Sequence, residues 1–414
     1  MKQIRFFVTK EFRAKNDSPP QKKTVTKDFR LHPCLSPPIQ LSLHSQIKRF
    51  TRPSIMPAPF KFPEANELTA QLFKTLKRHP KRIVFADGED LRVLRVAARM
   101  VELKIAVPIL LGNRQRIHLM AEDEDISMLL VNVIDPKASS EIELFAKRLE
   151  KISRFRGQII SDPLEVVSRP QNFAAMMVQY GLADAMIAGN QSMPATVFRA
   201  AITMIKPIKK VPKVFGAMIM VAPPHLKHFG ENGILFLADC GVIPEPDVEQ
   251  LASIAIETGK FARHFLGRIP HIAMLSHSTL GSAYTKSAQR VQAATVLARQ
   301  KIEKDYLDLE IHGEIQADVA LDPSAAETKL PHPISQESSD VLVFPNLDAG
   351  HISLKLLQHV GGAQNYGQFI MGLTRPAAQV PRTVSEETLL GTAAVLGNQA
   401  ITVHNQYLEE HSGS

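Results

Sequence analysis

The chain has 414 residues, enough for two or more domains with their own cores, and its 44% hydrophobic and 22% charged residues are the composition of a soluble globular protein. Two cysteines, Cys34 and Cys240, exclude a disulfide scaffold and fit a reducing cytoplasm; no apolar run approaches the roughly 18 residues a membrane span needs. The formal charge of +8 belongs to one end: residues 1–55 hold 12 Lys and Arg against 3 Asp and Glu, and the remainder comes to −1. The globular part therefore offers no ground for a nucleic-acid role.

Residues 1–55 carry "NDSPPQKK" and "HPCLSPP" and no sustained periodicity, the pattern of a disordered extension dispensable for folding. Two readings compete for it: an organelle-targeting segment, or upstream sequence before a true start at Met56, the second being favoured. From Arg82 the pattern alternates. "RIVFADG" reads as a buried strand, "EDLRVLRVAARMVEL" as an amphipathic helix and "AVPILLG" as a second strand; a polar helix follows, then "SMLLVNVID". Further strands are expected at "ADAMIAG", "VFGAMIMVAP", "LFLADCG", "HIAMLS", "VLVFPN" and "FIMGL", with helices between most of them. The alternation predicts an α/β protein of two αβα domains with largely parallel sheets, whose ligands sit in a cleft beyond the carboxyl ends of the strands.

The stretch "MLSHSTLGSA" places Ser276, Ser278, Thr279, Gly281 and Ser282 between a strand and a helix expected from about Lys286. One such residue suffices as a helix cap. The whole set has the donors of a phosphate or carboxylate site. Other motifs are missing or incomplete. No G-x-G-x-x-G follows the first strand, "GSAYTKS" lacks the glycine of a phosphate loop, no G-x-S-x-G elbow occurs, and "HLKH" has no further metal ligand placed beside it.

Polar clusters ending apolar runs occur at "FADGEDLR", "FLADCGVIPEPDVEQLASIAI", "MLSHSTLGSA", "HGEIQADVAL", "VLVFPNLDAGHISLKLLQ" and "GLTRPAAQVPRTVSEETL". In order and content the last five resemble the phosphate acetyl/butyryl transferase family, over about Arg82 to Ile401. The resemblance implies an isocitrate/isopropylmalate dehydrogenase-like fold with a discontinuous first domain, residues 60–209 plus 373–408, and a second, residues 210–372. It implies phosphate acetyltransfer, acetyl-CoA plus phosphate to acetyl phosphate plus coenzyme A, by a homodimer or higher homo-oligomer in the cytoplasm. Acyl-CoA and phosphate are the partners, without a metal, a resident cofactor or a membrane. A butyryl transferase and a non-catalytic acyl-CoA sensor are the alternatives.

Residue by residue, the resemblance implies that Arg199 in "MPATVFRAAI" is a phosphate-cleft arginine and that Arg382 in "VPRTVS" stabilises the transition state. Glu387 stands for the thiol base, with Glu386 beside it. Ser276 to Ser282 and Asp348 line the substrate cleft. Three departures stand out: Pro381 occupies the place of a catalytic serine, Glu387 that of a carboxylate that is usually Asp, and Ser153 that of an arginine, for which Arg154 or Arg156 is the candidate substitute. The departure at 381 resembles the phosphotransacetylase-like regulatory half of bacterial malic enzymes, although this chain carries no malic-enzyme half and retains Arg199.

Overall fold

The computed structural model describes residues 65–412, apart from Arg156, Gln158 and residues 332–337. The expectations for the basic extension, for Met56 and for Arg156 lie outside the described residues. In chain order the elements begin with α1 (Glu67–Arg78), β1 (Lys81–Phe85), α2 (Leu91–Glu102), β2 (Ala106–Leu111), α3 (Arg114–Asp123) and β3 (Asn132–Ile134). There follow α4 (Ile142–Phe155), α5 (Pro163–Ser168), α6 (Pro170–Gln179), β4 (Ala185–Ala188) and α7 (Pro194–Met204). Next come β5 (Phe215–Val221), β6 (Ile234–Ala238), α8 (Val248–Leu266), β7 (His271–Leu275), α9 (Lys286–Lys304) and β8 (Glu310–Ile315). The series ends with α10 (Ala317–Leu321), α11 (Pro323–Lys329), β9 (Val341–Val343), α12 (Leu347–His359), β10 (Gln364–Met371), β11 (Ala377–Gln379) and α13 (Glu386–Ser412).

The strands form one α/β sheet in the order β3-β2-β1-β4-β11-β10-β5-β6-β9-β7-β8. Most pairings are parallel; only β11/β10, β10/β5 and β5/β6 are antiparallel. Those three reversals turn the strand direction between the two halves of the sheet. The expected boundary at 209/210 falls between α7 and β5, and the sheet runs across it without a break.

Side-chain alternation along the strands feeds a core on each face. In β1, Ile83 and Phe85 join one cluster and Val84 another. Helix α2 turns Val93, Leu94, Val96, Ala97 and Met100 inward, the spacing its amphipathic sequence dictates. At the other end, Asp340 just before β9 is fully buried and paired by Arg268 through two bonds of 2.9 and 2.8 Å, with the His271 N–H at 2.9 Å as a third donor.

Three elements differ from the sequence pattern. Of "SMLLVNVID" only Asn132–Ile134 forms a strand. Leu130 has φ 62° and lies with Leu129 in a turn closed by the Val131 N–H on the Met128 carbonyl, so Leu129 and Leu130 are left 73% and 70% exposed. β8 escapes the pattern because His312 and Glu314 interrupt it, and β11 because three residues, "AAQ", carry no periodicity. Yet β11 joins the halves, pairing with β4 on one side and β10 on the other.

Helix α13 returns to the first elements. It packs on α1 and α2, the Asn398 amide donates to the Leu72 carbonyl at 3.3 Å, and Glu386 pairs with Arg95 at 3.1 Å. Its Gly391 faces the Tyr366 ring: a Cβ there lies 2.1 Å from the nearest ring carbon. Helix propensity favours Gly391→Ala by about 1 kcal/mol, but overpacking a full core costs roughly 1–3 kcal/mol. Gly391→Ala is expected to lower the urea midpoint of unfolding; a raised midpoint shows that the ring yields.

Candidate active site

The sequence "FADGEDLR" builds one corner of the site. Asp90 caps α2, accepting the Arg92 N–H at 2.9 Å, and its carboxylate also takes the Arg92 guanidinium at 2.6 and 3.0 Å. The guanidinium then reaches beyond its own loop. It donates to the carbonyls of Arg382 at 2.8 Å, Val384 at 2.9 Å and Asn190 at 3.3 Å. Arg92 thus ties the loops that follow β1, β4 and β11, and Asp90, with hydrogen bonding first and charge behind it, raises the arginine's already high pKa. Next to it Asp87 holds the β4 loop, accepting from the Gly189 N–H at 2.7 Å and the Ser192 hydroxyl at 2.6 Å. Gly189, at φ +126°, lets Val380 approach: a Cβ lies 2.0 Å from its carbonyl oxygen. No motif in the sequence assigns Arg92, Asp90 and Asp87; their signal there is a polar cluster after an apolar run.

On this base stand the two arginines the family resemblance selects. Arg382 follows β11 and Arg199 lies on α7, which follows the neighbouring strand β4. Both side chains are exposed, and neither has a carboxylate partner among the described residues. Glu387, in the first turn of α13, is engaged by a neighbouring amide. It accepts from Gln364, whose side-chain oxygen in turn accepts from Asn66 at 2.9 Å, and Asn66 also donates to the Tyr366 hydroxyl at 2.7 Å.

Substitution of Arg154 for the arginine at 153 meets a geometric obstacle. Ser153 is buried, its hydroxyl donating to the Leu149 carbonyl, whereas Arg154 is 83% exposed with Glu150 at 3.9 Å. One residue on a helix is a rotation of about 100°.

The hydroxyl stretch after β7 is tied down in part by the chain itself. Two of its donors serve the chain's own carboxylate: Glu314 at the end of β8, 2% exposed, accepts from the Ser278 hydroxyl at 3.0 Å and the Gly281 N–H at 2.6 Å. Ser276 accepts from the Ser278 N–H at 3.1 Å, Ser282 from the Thr279 N–H at 3.0 Å, and Thr279 from the Gln316 N–H at 3.1 Å. The cap of α9 is Thr285. Asp348 is exposed in the first turn of α12. No hydrogen bond or ion pair among the described residues joins this group to Arg199 or Arg382. After β6, Asp239 is buried and accepts from the N–H groups of Gly216, Gly241, Val242 and Ile243; burial pushes its carboxyl up against those four donors. Burial and that neighbour also push the Cys240 thiol up, which removes it as a nucleophile.

Residues 67–396 match the family model described as "Phosphate acetyl/butaryl transferase". The chain belongs to this family. It is 34% identical over 330 residues to the phosphate acetyltransferase of Acetivibrio thermocellus, across 80% of this chain and 97% of that one. With the enzyme of Clostridium acetobutylicum the identity is 31% over 334 residues, 81% and 98% of the two chains. Among solved structures, the EutD phosphotransacetylase of Staphylococcus aureus superposes with a TM-score of 0.71 at 30% identity, across 80% of this chain and 99% of that one. The phosphotransacetylase of Streptococcus pyogenes gives 0.72 at 28%, with the same coverage. Among the described residues no helix is long and apolar enough to cross a membrane.

Two predictions follow from the geometry. Arg92→Ala removes bonds to one carboxylate and three carbonyls. Charged hydrogen bonds are worth about 1.5–3 kcal/mol, less where solvent screens them, so a loss of roughly 1–3 kcal/mol is expected in urea unfolding. Arg92→Lys should recover only part, lacking the planar fork; full recovery shows that charge alone suffices. The Tyr366 phenol is pushed up to about 12 by burial and, less, by Glu387. A raised folded-state pKa means that its stabilising contribution is whole below the unfolded value near 10 and is lost as pH rises toward 12. Stability should fall by up to about 1.4 kcal/mol per pH unit in that window from this group, and Tyr366→Phe should remove that part of the slope in urea melts. An unchanged slope refutes the assignment.

Proposed function

We propose that the chain is a phosphate acetyltransferase, moving an acetyl group between the sulfur of coenzyme A and inorganic phosphate. The observation that carries this reading is the pair Arg199 and Arg382. Two exposed guanidiniums, without carboxylate partners among the described residues, follow adjacent strands, Arg382 on the turn after β11 and Arg199 on the helix after β4, in a chain whose relatives carry that name. Phosphate matches the planar, bidentate fork of arginine. Because Arg92 and Asp90 hold the Arg382 backbone, its side chain is left to the substrate, and charge developing on the reacting carbonyl meets a pre-positioned cation.

The β7–α9 loop and Asp348 take acyl-CoA, while the engagement of Ser278 and Gly281 by Glu314 leaves phosphate to the arginines. Glu387 is the candidate thiol base, a role that requires its bond to Gln364 to be exchanged for the thiol. The transfer calls for no resident metal or cofactor. A cytoplasmic homodimer with acetyl preferred over butyryl completes the reading.

Thioester absorbance with acetyl phosphate and coenzyme A tests it. Arg199→Ala and Arg382→Ala should each lower kcat/KM for acetyl phosphate by about 10- to 150-fold, the equivalent of one charged hydrogen bond, with stability nearly unchanged. Unchanged kinetics in both variants rules out the assignment. Proline offers no side-chain donor and no N–H, so Pro381→Ser should raise kcat, by up to roughly 100-fold if an oxyanion donor is missing at 381. Tight acetyl-CoA binding without turnover in wild type and Pro381→Ser alike makes the chain a sensor instead.

A further inference from the structure

Asn190 is the second residue of the loop after β4 and is 3% exposed. Its side-chain nitrogen, Nδ2, is buried and meets no hydrogen-bond acceptor among the described residues. A buried, unpaired amide donor is costly, and native interiors rarely keep one without a use. The two carboxylates of the neighbouring loop are already committed. Asp87 spends one oxygen on the Gly189 N–H and the other on Ser192, and Asp90 spends both on Arg92. The place of this donor matters. One guanidinium holds the Asn190 carbonyl at 3.3 Å and the Arg382 carbonyl at 2.8 Å, and Gly189 lies directly against Val380. Asn190 and Pro381 therefore stand on adjoining loops, one with an unused donor and the other with none.

We propose that Asn190 is a further catalytic residue, whose carboxamide NH2 donates a hydrogen bond to the carbonyl oxygen of the acetyl group and supplies the donor that Pro381 lacks. This rests on the reading of the chain as a phosphate acetyltransferase. A phosphate oxygen adds to the thioester carbon, a C–O bond forms, and the carbonyl π pair moves onto oxygen. That oxyanion faces Asn190 Nδ2 after the side chain rotates out of its buried position. When the oxyanion collapses the C–S bond breaks, its pair leaves on sulfur, and the proton of hydrogen phosphate ends on the thiolate. Asn190 gives and takes no proton; it acts only where charge develops, where a neutral donor is most effective.

Steady-state kinetics and thermal unfolding of the full chain separate this role from a structural one. A donor with no partner in the resting protein costs no bond when deleted. Asn190→Ala should therefore melt at or above the wild-type temperature while kcat falls about 100-fold. KM for coenzyme A and for acetyl phosphate should stay within about threefold, because the bond is made in the transition state. Asn190→Ser, which keeps a donor, should recover part of kcat. Pro381→Ser should raise kcat more in the Asn190→Ala background than in wild type. An active wild type whose Asn190→Ala variant keeps its kcat overturns the proposal, as does a loss of kcat matched by a loss of melting temperature. A wild type without transferase activity brings down the transferase reading and this proposal with it.

Discussion

A single guanidinium sets the geometry of the candidate active site. Arg92, in the first turn of α2, is paired by the cap residue Asp90 and spends its remaining donors on carbonyls of two loops, those after β4 and β11. Arginine suits the task because its planar fork reaches several acceptors in fixed directions and stays charged. The consequence for chemistry is indirect. With the Arg382 backbone held from behind, the Arg382 side chain has no structural duty, and it is free for an anion. Asp90 is equally economical, capping α2 and orienting Arg92 with the same carboxylate.

The sheet makes this clamp possible. β11 is only three residues long, but its insertion between β4 and β10 places the Pro381–Arg382 turn beside the β4 loop and joins the halves of the sheet. The chain then enters α13, which packs back on α1 and α2, with Glu386 against Arg95 and Asn398 against the α1 backbone. Residues at opposite ends of the sequence thereby share one site. Gly391 allows this return by making room for the Tyr366 ring, and Tyr366 links the helix to Asn66 at the start of α1.

A donor-rich loop is not in itself an anion site. The hydroxyls and N–H groups after β7 have the composition of one, yet Ser278 and Gly281 are turned onto Glu314, and the other hydroxyls accept from backbone within the loop or from β8's end. Composition counts donors; only the fold says which are already used. Asn190 is the converse case, a residue without a motif whose unused donor becomes visible only once its surroundings are counted.

From the sequence alone came the α/β alternation, most strand positions, the amphipathic face of α2 and the family, because each depends on local periodicity or on motifs continuous in the chain. The two candidate arginines were selected on the same ground, through "MPATVFRAAI" and "VPRTVS". The inward turn of Ser153 and outward turn of Arg154, the attachment of Glu387 to Gln364, the capture of the hydroxyl loop by Glu314 and the reach of Arg92 to Arg382 were decided by tertiary structure. The partners in the last three pairs are separated by 23, 36 and 290 residues, and no periodicity connects positions so far apart. In the first, the direction of a side chain depends on a helix rotation that only packing fixes.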